Sequence, residues 1–443
     1  MNPKAAWSPS RRRLVGLLPA VGLAACGIAP PRRFTAEDSS GFRIAADFEP
    51  MRAIWIGYDA GHADFTAALV AALLPQVKLK LMAGSEAGIA QARSGLRQRG
   101  VNISGVQFIV EPLAIFYLRD AAVFALGPRG QLGVVDFKWS AYGLPGWCWR
   151  RHADNLWRAS ECAAGIDSSR DALDRQIAEA AGARVLESSL AVEGGGIEVN
   201  GRGTIIASET LLTQRNPGRS RDELERELLQ LPGLRKVLWL PHGLAQDPQL
   251  RATIVGKHVA WGTGGHTDEF VRFADARTVL LAWPDDAEVA SGHPVARLNR
   301  ERMQRNFNIL ANATDQDGQR LHVVKLPLPR VVERRVVLSA KADGAVSGEW
   351  SAEYFPASEN RREGDALMQV ASSSYLNFVI ANGVVIVPDY LKHGTPPAVQ
   401  DQVRRLFESV FPGRRILFID AIGLNWVGGG PHCATLAEPA AGA

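Results

Sequence analysis

Residue types that often take part in catalysis are concentrated in a few short segments of this chain. Of its four cysteines, only Cys433 follows a glycine-rich run, Gly428-Gly429-Gly430, whose backbone could approach a ligand closely. A cysteine thiolate is a strong nucleophile, and we interpret Cys433 as the catalytic cysteine. The segment His266-Thr267-Asp268 adds an imidazole next to a carboxylate. These are the residue types of covalent catalysis, and some of them also occur in metal sites.

A zinc site would draw on the same part of the sequence. Four residues there are permissible zinc ligands: His266, Asp268, His432 and Cys433. His432 and Cys433 are adjacent, and on an extended strand their side chains would point to opposite faces, which disfavours joint ligation of one ion. We therefore expect no metal and no cofactor, and we interpret His432 as a structural neighbour of the site.

Alternating secondary-structure signals predict the elements that position these residues. Short β-rich runs begin near residues 53, 106, 195, 278 and 378. Helical stretches, for example 221–229 and 397–407, fall between them, which favours an α/β fold over an all-β fold. No exact sequence repeat accompanies this alternation.

Composition bounds the class of protein. The chain has 443 residues, of which 46% are hydrophobic and 22% charged, as in an ordinary globular protein with a large core. The formal net charge of +4 is small for this length, and several basic residues belong to the N-terminal segment. A nucleic-acid partner is therefore not indicated.

The first 25 residues predict an export signal. Arginines at 11–13 precede the apolar run Leu14–Ala25, which is too short to span a bilayer about 30 Å thick. The paired arginines resemble a twin-arginine signal. The segment Leu23-Ala24-Ala25-Cys26 resembles a lipobox, whose cysteine is lipidated and becomes the mature N-terminus. The alternative is ordinary cleavage near Ala25 or Ala29, which would give a soluble periplasmic protein.

These signals predict an exported protein of the periplasm or cell envelope, lipid-anchored at Cys26. Residues 26–47 include Pro30-Pro31 and lack clear periodicity, so we interpret them as a tether. The catalytic domain is predicted to span residues 48–443. If the twin-arginine route is used, the domain folds before export and cannot depend on disulfides formed afterwards.

Two further cysteines, Cys148 and Cys162, lie close together in the sequence. They could pair in an oxidising compartment. Free cysteine, however, is often buried as a small hydrophobic residue, and their spacing fixes no geometry. Whether the two residues pair stays open at this stage.

Five separated segments match, in order, the pattern of agmatine deiminases and the related bacterial peptidylarginine deiminases. They are Leu118-Arg119-Asp120, Val192–Ile197, Arg215-Asn216-Pro217, Gly265–Phe270 and Gly428–Thr435. The resemblance covers nearly the whole predicted mature chain, and the order and wide spacing of the motifs would rarely arise by chance. It implies the fold of this guanidine-modifying superfamily, the pentein: a five-bladed α/β propeller of ββαβ-like modules around a pseudo-fivefold axis, with the active site in the central channel.

The same resemblance implies a role for each motif residue. Cys433 would attack the guanidinium carbon, and His266 would protonate the departing ammonia and then activate water. Glu193 would orient His266. Asp120 and Asp268 would hold the guanidinium through paired, charge-assisted hydrogen bonds. The predicted reaction is hydrolysis of agmatine to N-carbamoylputrescine and ammonia through a covalent intermediate.

The chain departs from the family pattern at three places. Agmatine deiminases commonly have Thr-Gly-Pro at Ala121-Ala122-Val123, often have Asn at Glu269, and usually have Asn-Ile at Gly430-Pro431. Agmatine remains the lead substrate because Arg215-Asn216-Pro217 and residues 375–383 follow the agmatine-type sequences closely.

Two alternatives to agmatine hydrolysis stay open. Export would suit arginine or arginyl peptides as substrates, which would make the protein a secreted deiminase that produces citrulline. A membrane-tethered guanidine-binding protein without turnover would need the carboxylates but neither Cys433 nor His266. The partners considered are a small guanidinium substrate, the membrane through the lipid anchor, and further copies of the chain in a homo-oligomer.

Overall fold

A computed structural model describes residues 41–152, 156–164, 168–339 and 350–441 of the chain. The predicted leader, including Cys26, lies outside these ranges. Strands and helices alternate throughout the described part, so the predicted α/β class is confirmed.

The strands in chain order are β1 (Arg43–Ile44), β2 (Met51–Gly57), β3 (Lys78–Ala83), β4 (Val106–Val110), β5 (Val123–Leu126), β6 (Leu132–Lys138), β7 (Arg184–Ala191), β8 (Ile197–Val199), β9 (Thr204–Ser208), β10 (Lys236–Leu240), β11 (Gln249–Val255), β12 (His258–Thr263), β13 (Val271–Phe273), β14 (Thr278–Trp283), β15 (His322–Pro327), β16 (Glu333–Val337), β17 (Ala366–Val370), β18 (Val379–Ala381), β19 (Val384–Asp389), β20 (Arg415–Asp420) and β21 (Thr435–Pro439). The helices are α1 (Ala63–Leu73), α2 (Glu86–Gln98), α3 (Leu144–Arg151), α4 (Leu156–Ala164), α5 (Leu173–Ala181), α6 (Glu209–Arg215), α7 (Arg221–Leu228), α8 (Asp286–Ala290), α9 (Pro294–Asn312), α10 (Pro397–Val410) and α11 (Ile422–Asn425).

Five of the six sheets in the described residues share one strand pattern. Each has an antiparallel pair whose second strand also pairs in parallel with the next strand along the chain. These units are β5-β6-β7, β8-β9-β10, β13-β14-β15, β18-β19-β20 and β21-β2-β3. Parallel neighbours need a long crossover, and helices supply it in every unit. We call these five units the ββαβ modules.

The central strands of the modules form most of the core. β19 reads Val-Val-Ile-Val-Pro before Asp389 and is buried along almost its whole length, as is typical of a strand covered on both faces. α10 packs Phe407 against Phe378 with ring centroids 4.9 Å apart. The last strand, β21, pairs with β2, so the C-terminal strand completes a sheet that begins near the start of the described chain.

A short segment of the same kind precedes the first strand of each module. These segments contain Asp120 before β5, Gly195 before β8, Asp268 before β13, Asn377 before β18 and Cys433 before β21. In three of the modules the segment is a 3-10 turn: Leu118–Asp120, Gly194–Gly196 and Thr267–Glu269. The repeated architecture therefore places one polar or glycine segment at the same point of every module.

The N-terminal boundary of the folded body differs from the predicted one. The tether was predicted to extend to residue 47, but Arg43–Ile44 pair with β5 and the Asp47 side chain is only 15% exposed. The folded body thus begins at least five residues before residue 48.

Cys148 on α3 and Cys162 on α4 form a disulfide, with their Cα atoms 5.7 Å apart. This pairing answers the question that the sequence left open. Among the described residues, no helix combines the length and apolar character needed to cross a membrane.

Candidate active site

Cys433 lies in a turn just before β21, and its thiol is buried. Its Sγ is 3.1 Å from the Asn377 Nδ2 donor and 3.5 Å from Asp268 Oδ2. Asn377 Oδ1 also accepts the backbone N–H of His432 at 2.8 Å. Asn377 therefore fixes both the thiol and the turn that contains it.

His432 and Cys433 reach the same carboxylate. His432 Nδ1 lies 2.7 Å from Asp268 Oδ2, the oxygen that Cys433 Sγ also approaches. Pro431–Ala434 form a turn rather than an extended strand. The predicted opposite orientation of the two side chains is therefore wrong, and so is the objection to a metal that rested on it.

The loop before His266 fixes the position of its imidazole. Gly265 has φ +104°, a region that favours glycine, and Asp247 Oδ2 accepts the backbone N–H of His266 at 2.9 Å. The ring is fully buried, with Nε2 3.4 Å from Glu193 Oε2 and Nδ1 3.7 Å from Asp120 Oδ1. Nδ1 has no hydrogen-bond partner among the described residues, so it is available to a ligand.

Glu193 is held by a buried ion pair. Arg215 Nε donates to both of its carboxylate oxygens, at 2.9 and 3.0 Å. Burial alone would raise the pKa of Glu193, but Arg215 and His266 outweigh burial and lower this pKa to about 2. Glu193 is therefore an anion beside the imidazole. Arg215, from the Arg215-Asn216-Pro217 motif, stabilises this negative charge.

Asp120 has a donor on each of its oxygens. The Gly195 N–H donates to Oδ1 at 3.3 Å and the Tyr142 hydroxyl donates to Oδ2 at 3.0 Å. Burial, opposed by His266, raises the pKa of Asp120 to about 7.

Gly195 leaves a space that three of the side chains border. A Cβ on Gly195 would lie 2.6 Å from His266 Nδ1 and 3.0 Å from both Asp120 Oδ1 and Asp268 Oδ2. Any larger residue would occupy this space. A flat ligand could lie against the Gly195 backbone and contact both carboxylates.

Asp268 is the first member of a buried chain of polar contacts. His432 contacts Asp268 through Nδ1 and Asp47 Oδ2 through Nε2, the latter at 2.5 Å. Asp47 also pairs with Arg272 at 2.8 Å and Arg119 at 3.2 Å. Burial alone would raise the pKa of Asp268, but the hydrogen bond from His432 together with the charges of His266 and Arg272 outweighs burial and lowers this pKa. Asp268 is therefore an anion.

The site is strongly acidic around its thiol. Burial, reinforced by Asp268 and Glu269, raises the pKa of Cys433 well above its usual value. Burial and Asp268 likewise raise the pKa of Glu269. The His266 pKa rises to about 9, because the three nearby carboxylates outweigh the opposing effect of burial. The resting site thus holds a neutral thiol, an imidazolium and several carboxylates, and it favours a cationic ligand.

Asp268, Glu269 and Cys433 could also hold a metal ion, since their ligand atoms lie within 4.8 Å of one another. Asp268 Oδ1 and Glu269 Oε2 are buried and have no hydrogen-bond partner among the described residues. Two acceptors of this kind suit either an ion or the N–H groups of an organic cation.

All five residues predicted from the motifs lie in this one cluster: Asp120, Glu193, His266, Asp268 and Cys433. Sequence reasoning missed four residues that contact them, Tyr142, Arg215, Asp247 and Asn377, and also Asp47, which reaches Asp268 through His432. Two of the missed residues, Arg215 and Asn377, lie in segments that carried the family resemblance. The resemblance could therefore have identified them as candidate site residues. Asp47 had been assigned to the tether, and no local pattern marks Tyr142.

Comparisons with known proteins identify the family of the chain. A family model described as the Porphyromonas-type peptidyl-arginine deiminase matches residues 43–439. An agmatine deiminase of Ectopseudomonas mendocina is 27% identical over 425 residues, which cover 92% of this chain and 98% of the relative. An agmatine deiminase of Medicago truncatula is 28% identical over 420 residues, 90% and 97% of the two chains. The solved agmatine deiminase of Enterococcus faecalis has the same fold, with a TM-score of 0.66 at 22% identity over 91% of this chain and 97% of that one.

Proposed function

The chain belongs to the Porphyromonas-type peptidyl-arginine deiminase family, and we propose on this premise that it hydrolyses agmatine to N-carbamoylputrescine and ammonia. The observation that carries the proposal is the convergence of Cys433, His266 and three carboxylates in one buried cluster. The agmatine deiminases to which the chain is similar over at least nine-tenths of its length support agmatine as the substrate.

Substrate binding would use the space beside Gly195. Asp120 and Asp268 lie on either side of that space and can each accept guanidinium N–H groups. The bound cation would lower the raised pKa of Cys433, because its charge offsets those of the surrounding carboxylates. Binding would therefore help to generate the nucleophile, as the thiol proton leaves for solvent.

The covalent step forms a bond from Cys433 Sγ to the guanidinium carbon. His266, which is an imidazolium in the resting site, gives its proton to the departing nitrogen, and ammonia leaves. The neutral imidazole then takes a proton from water, whose oxygen attacks the amidino-thioether carbon. Breaking the carbon–sulfur bond releases the ureido product and restores the thiol. Glu193 holds His266 in position for both proton transfers.

A substrate panel tests this proposal. Ammonia release should be fastest with agmatine and slower with free arginine. It should be slowest with arginyl peptides, whose backbone adds bulk at the end of the side chain away from the guanidinium. A preference for arginyl peptides that yields citrulline would contradict agmatine as the substrate. Release of ammonia from none of the three compounds would contradict the deiminase activity itself.

The five ββαβ modules, we infer, are the blades of a propeller around a pseudo-fivefold axis. Two observations support this inference. The modules share one strand pattern, and the pairing of β21 with β2 joins the last strand of the described residues to an early one. Around such an axis, the five segments that precede the first strands would meet at the centre. Those segments contain Asp120, Gly195, Asp268, Asn377 and Cys433, most of the proposed site.

Asp47 and His432 would act as positioning residues for Asp268. Replacing Asp47 with Asn removes the charge that holds His432 and should lower kcat/KM by about 10- to 100-fold, the range seen when groups that orient a site residue are lost. The same change on an Asp268→Asn background should have less than about a twofold effect, because groups that act through one another are not additive. Asp64→Asn, an exposed carboxylate, is the control.

Equal effects of Asp47→Asn on the two backgrounds would show that Asp47 acts independently of Asp268. Unchanged kcat/KM in the single variant would show that it has no positioning role at all. Thermal denaturation of each variant separates both outcomes from loss of the fold.

Export and lipid anchoring are proposed from the leader sequence, and the Cys148–Cys162 disulfide is compatible with an oxidising compartment. Cys26→Ala should move the protein from the membrane fraction to the soluble fraction, because it removes the acylated residue. Replacing Arg11 and Arg12 with Lys should impair export. Cys433→Ser, which leaves the leader intact, should stay with the membrane. Equal membrane retention of the Cys26 variant would contradict the lipoprotein assignment.

A further inference from the structure

We propose that His258, His293 and Glu333 form a second cation site that binds a divalent transition metal such as zinc. These residues come from β12, from the residue before α9 and from the start of β16. None of them belongs to the proposed active site, so this inference does not depend on the proposed function.

Sheet geometry places two of the three side chains on one face. β12 and β16 both pair with β17, with His258 opposite Met368 and Glu333 opposite Val370. Met368 and Val370 are two residues apart on β17, so their side chains and those of their partners point to the same face. His258 and Glu333 therefore meet above β17.

The start of α9 brings the third residue to that face. His293 is the N-cap of α9, and Val295 in the first turn belongs to the same buried cluster as Val370 and Ala245. This packing fixes the helix start above the sheet and sets His293 beside Glu333.

The distances between the three side chains fit the spacing of ligands around one metal ion. Glu333 Oε2 lies 3.3 Å from His258 Nε2 and 3.7 Å from His293 Nε2, and all three ligand atoms lie within 4.8 Å of one another. With metal–ligand bonds of about 2.0–2.1 Å, the ligand atoms of a tetrahedral site are about 3.3–3.4 Å apart. The observed separations approach this spacing.

The orientation of the His258 ring also favours a metal ion at this position. Its Nδ1 lies 3.3 Å from the Val255 carbonyl oxygen, a contact in which Nδ1–H can donate, and its Nε2 faces Glu333. In that tautomer the Nε2 lone pair faces the carboxylate, and a cation between the two atoms would bind both of them. Metal-bound histidines typically donate their other ring N–H to a carbonyl or carboxylate in this way.

His293 and the degree of exposure complete the case. His293 presents Nε2 to the same Glu333 oxygen as His258, and the two imidazole ring centroids are 5.4 Å apart. The side chains of His293 and Glu333 are 21% and 30% exposed, which leaves room for water as a fourth ligand. Two imidazoles and a carboxylate form a donor set that zinc commonly takes.

Zinc titration of the chelator-stripped, dialysed protein tests the site. Isothermal titration is done in the Cys433→Ser background, which removes the thiol of the other cluster that could hold an ion. One equivalent of Zn²⁺ should bind. His258→Ala and Glu333→Gln should each weaken binding by at least about 100-fold, since loss of even an outer partner of a ligand costs roughly 10- to 100-fold. His322→Ala, an exposed histidine on β15, should bind as tightly as its parent.

Circular dichroism checks that each variant is folded. Should His258→Ala not fold, His293→Ala provides the same measurement at a partly exposed position before a helix. Absence of zinc binding in the Cys433→Ser parent would overturn the proposal, and so would equal affinity in the His258 and Glu333 variants. Either result would mean that the three side chains form only an ion-pair cluster.

Discussion

Cys433→Ser should lower the kcat for agmatine by about 10⁴-fold or more, because a serine hydroxyl is a far poorer nucleophile than a thiolate at neutral pH. Agmatine should still bind, with a Kd within about fivefold of the wild-type value, a difference of about 1 kcal/mol. The reason is electrostatic. The buried thiol is neutral in the resting site, so its loss leaves the charges of Asp120 and Asp268 in place. Steady-state ammonia release and calorimetric titration give the two quantities.

The paired variant Cys148→Ser/Cys162→Ser is the matched control. It removes two cysteines that form a disulfide between α3 and α4 and leaves the buried thiol unchanged. Its kcat should stay within about threefold of wild type, as expected of a change that leaves the proposed nucleophile and its base in place. Near-normal turnover by Cys433→Ser would contradict covalent catalysis at this position.

His266→Ala should lower kcat by about 10²- to 10⁴-fold, the usual contribution of a positioned acid and base. Without the imidazolium, the departing nitrogen has no proton donor and leaves slowly. Any adduct that does form on Cys433 should persist, because no base remains to activate water. Single-turnover measurements with agmatine should show ammonia release and adduct decay both slowed. His322→Ala, an exposed histidine, should leave both rates unchanged.

The wild-type pH profile gives a second test of the same residue. His266 has a pKa of about 9 and donates its proton after the Cys433 thiol has lost its own, so kcat should fall at alkaline pH, where the imidazolium is lost. Asp120 has a pKa of about 7 and binds guanidinium as its anion, so kcat/KM should also fall as pH drops below about 7. His266→Ala should remove the alkaline limb and move the acidic limb to higher pH, because the imidazolium no longer lowers the pKa of Asp120. An unchanged alkaline limb would assign it to another group.

The motif residues could be predicted because each lies in a short segment whose composition is distinctive. Cys433 follows three glycines, and Glu193 precedes three. The alternation of strands and helices likewise predicted the α/β class, since each module is built from contiguous sequence. The turn at Pro431–Ala434 could not be predicted from its local sequence. Its conformation depends on Asn377, 55 positions away in the chain, which accepts the His432 N–H.

Long-range contacts also explain why Asp47 and Tyr142 were missed. Asp47 pairs with Arg272 and His432, which are 225 and 385 positions away, and its own sequence neighbourhood resembles a linker. Tyr142 reaches Asp120 from a backbone conformation with φ +58°. Gln249 stabilises that conformation by donating to the Tyr142 carbonyl oxygen at 3.1 Å. No local pattern indicates either contact.

Rapid-quench mass spectrometry of the wild-type protein mixed with agmatine tests the central claim most directly. The amidino-thioether should appear within the first turnover as a mass increase on the peptide that contains Cys433, and it should disappear as N-carbamoylputrescine accumulates. In His266→Ala the same adduct, once formed, should outlast the wild-type one. An adduct on Cys148 or Cys162, or agmatine turnover with no adduct at any cysteine, would contradict the account.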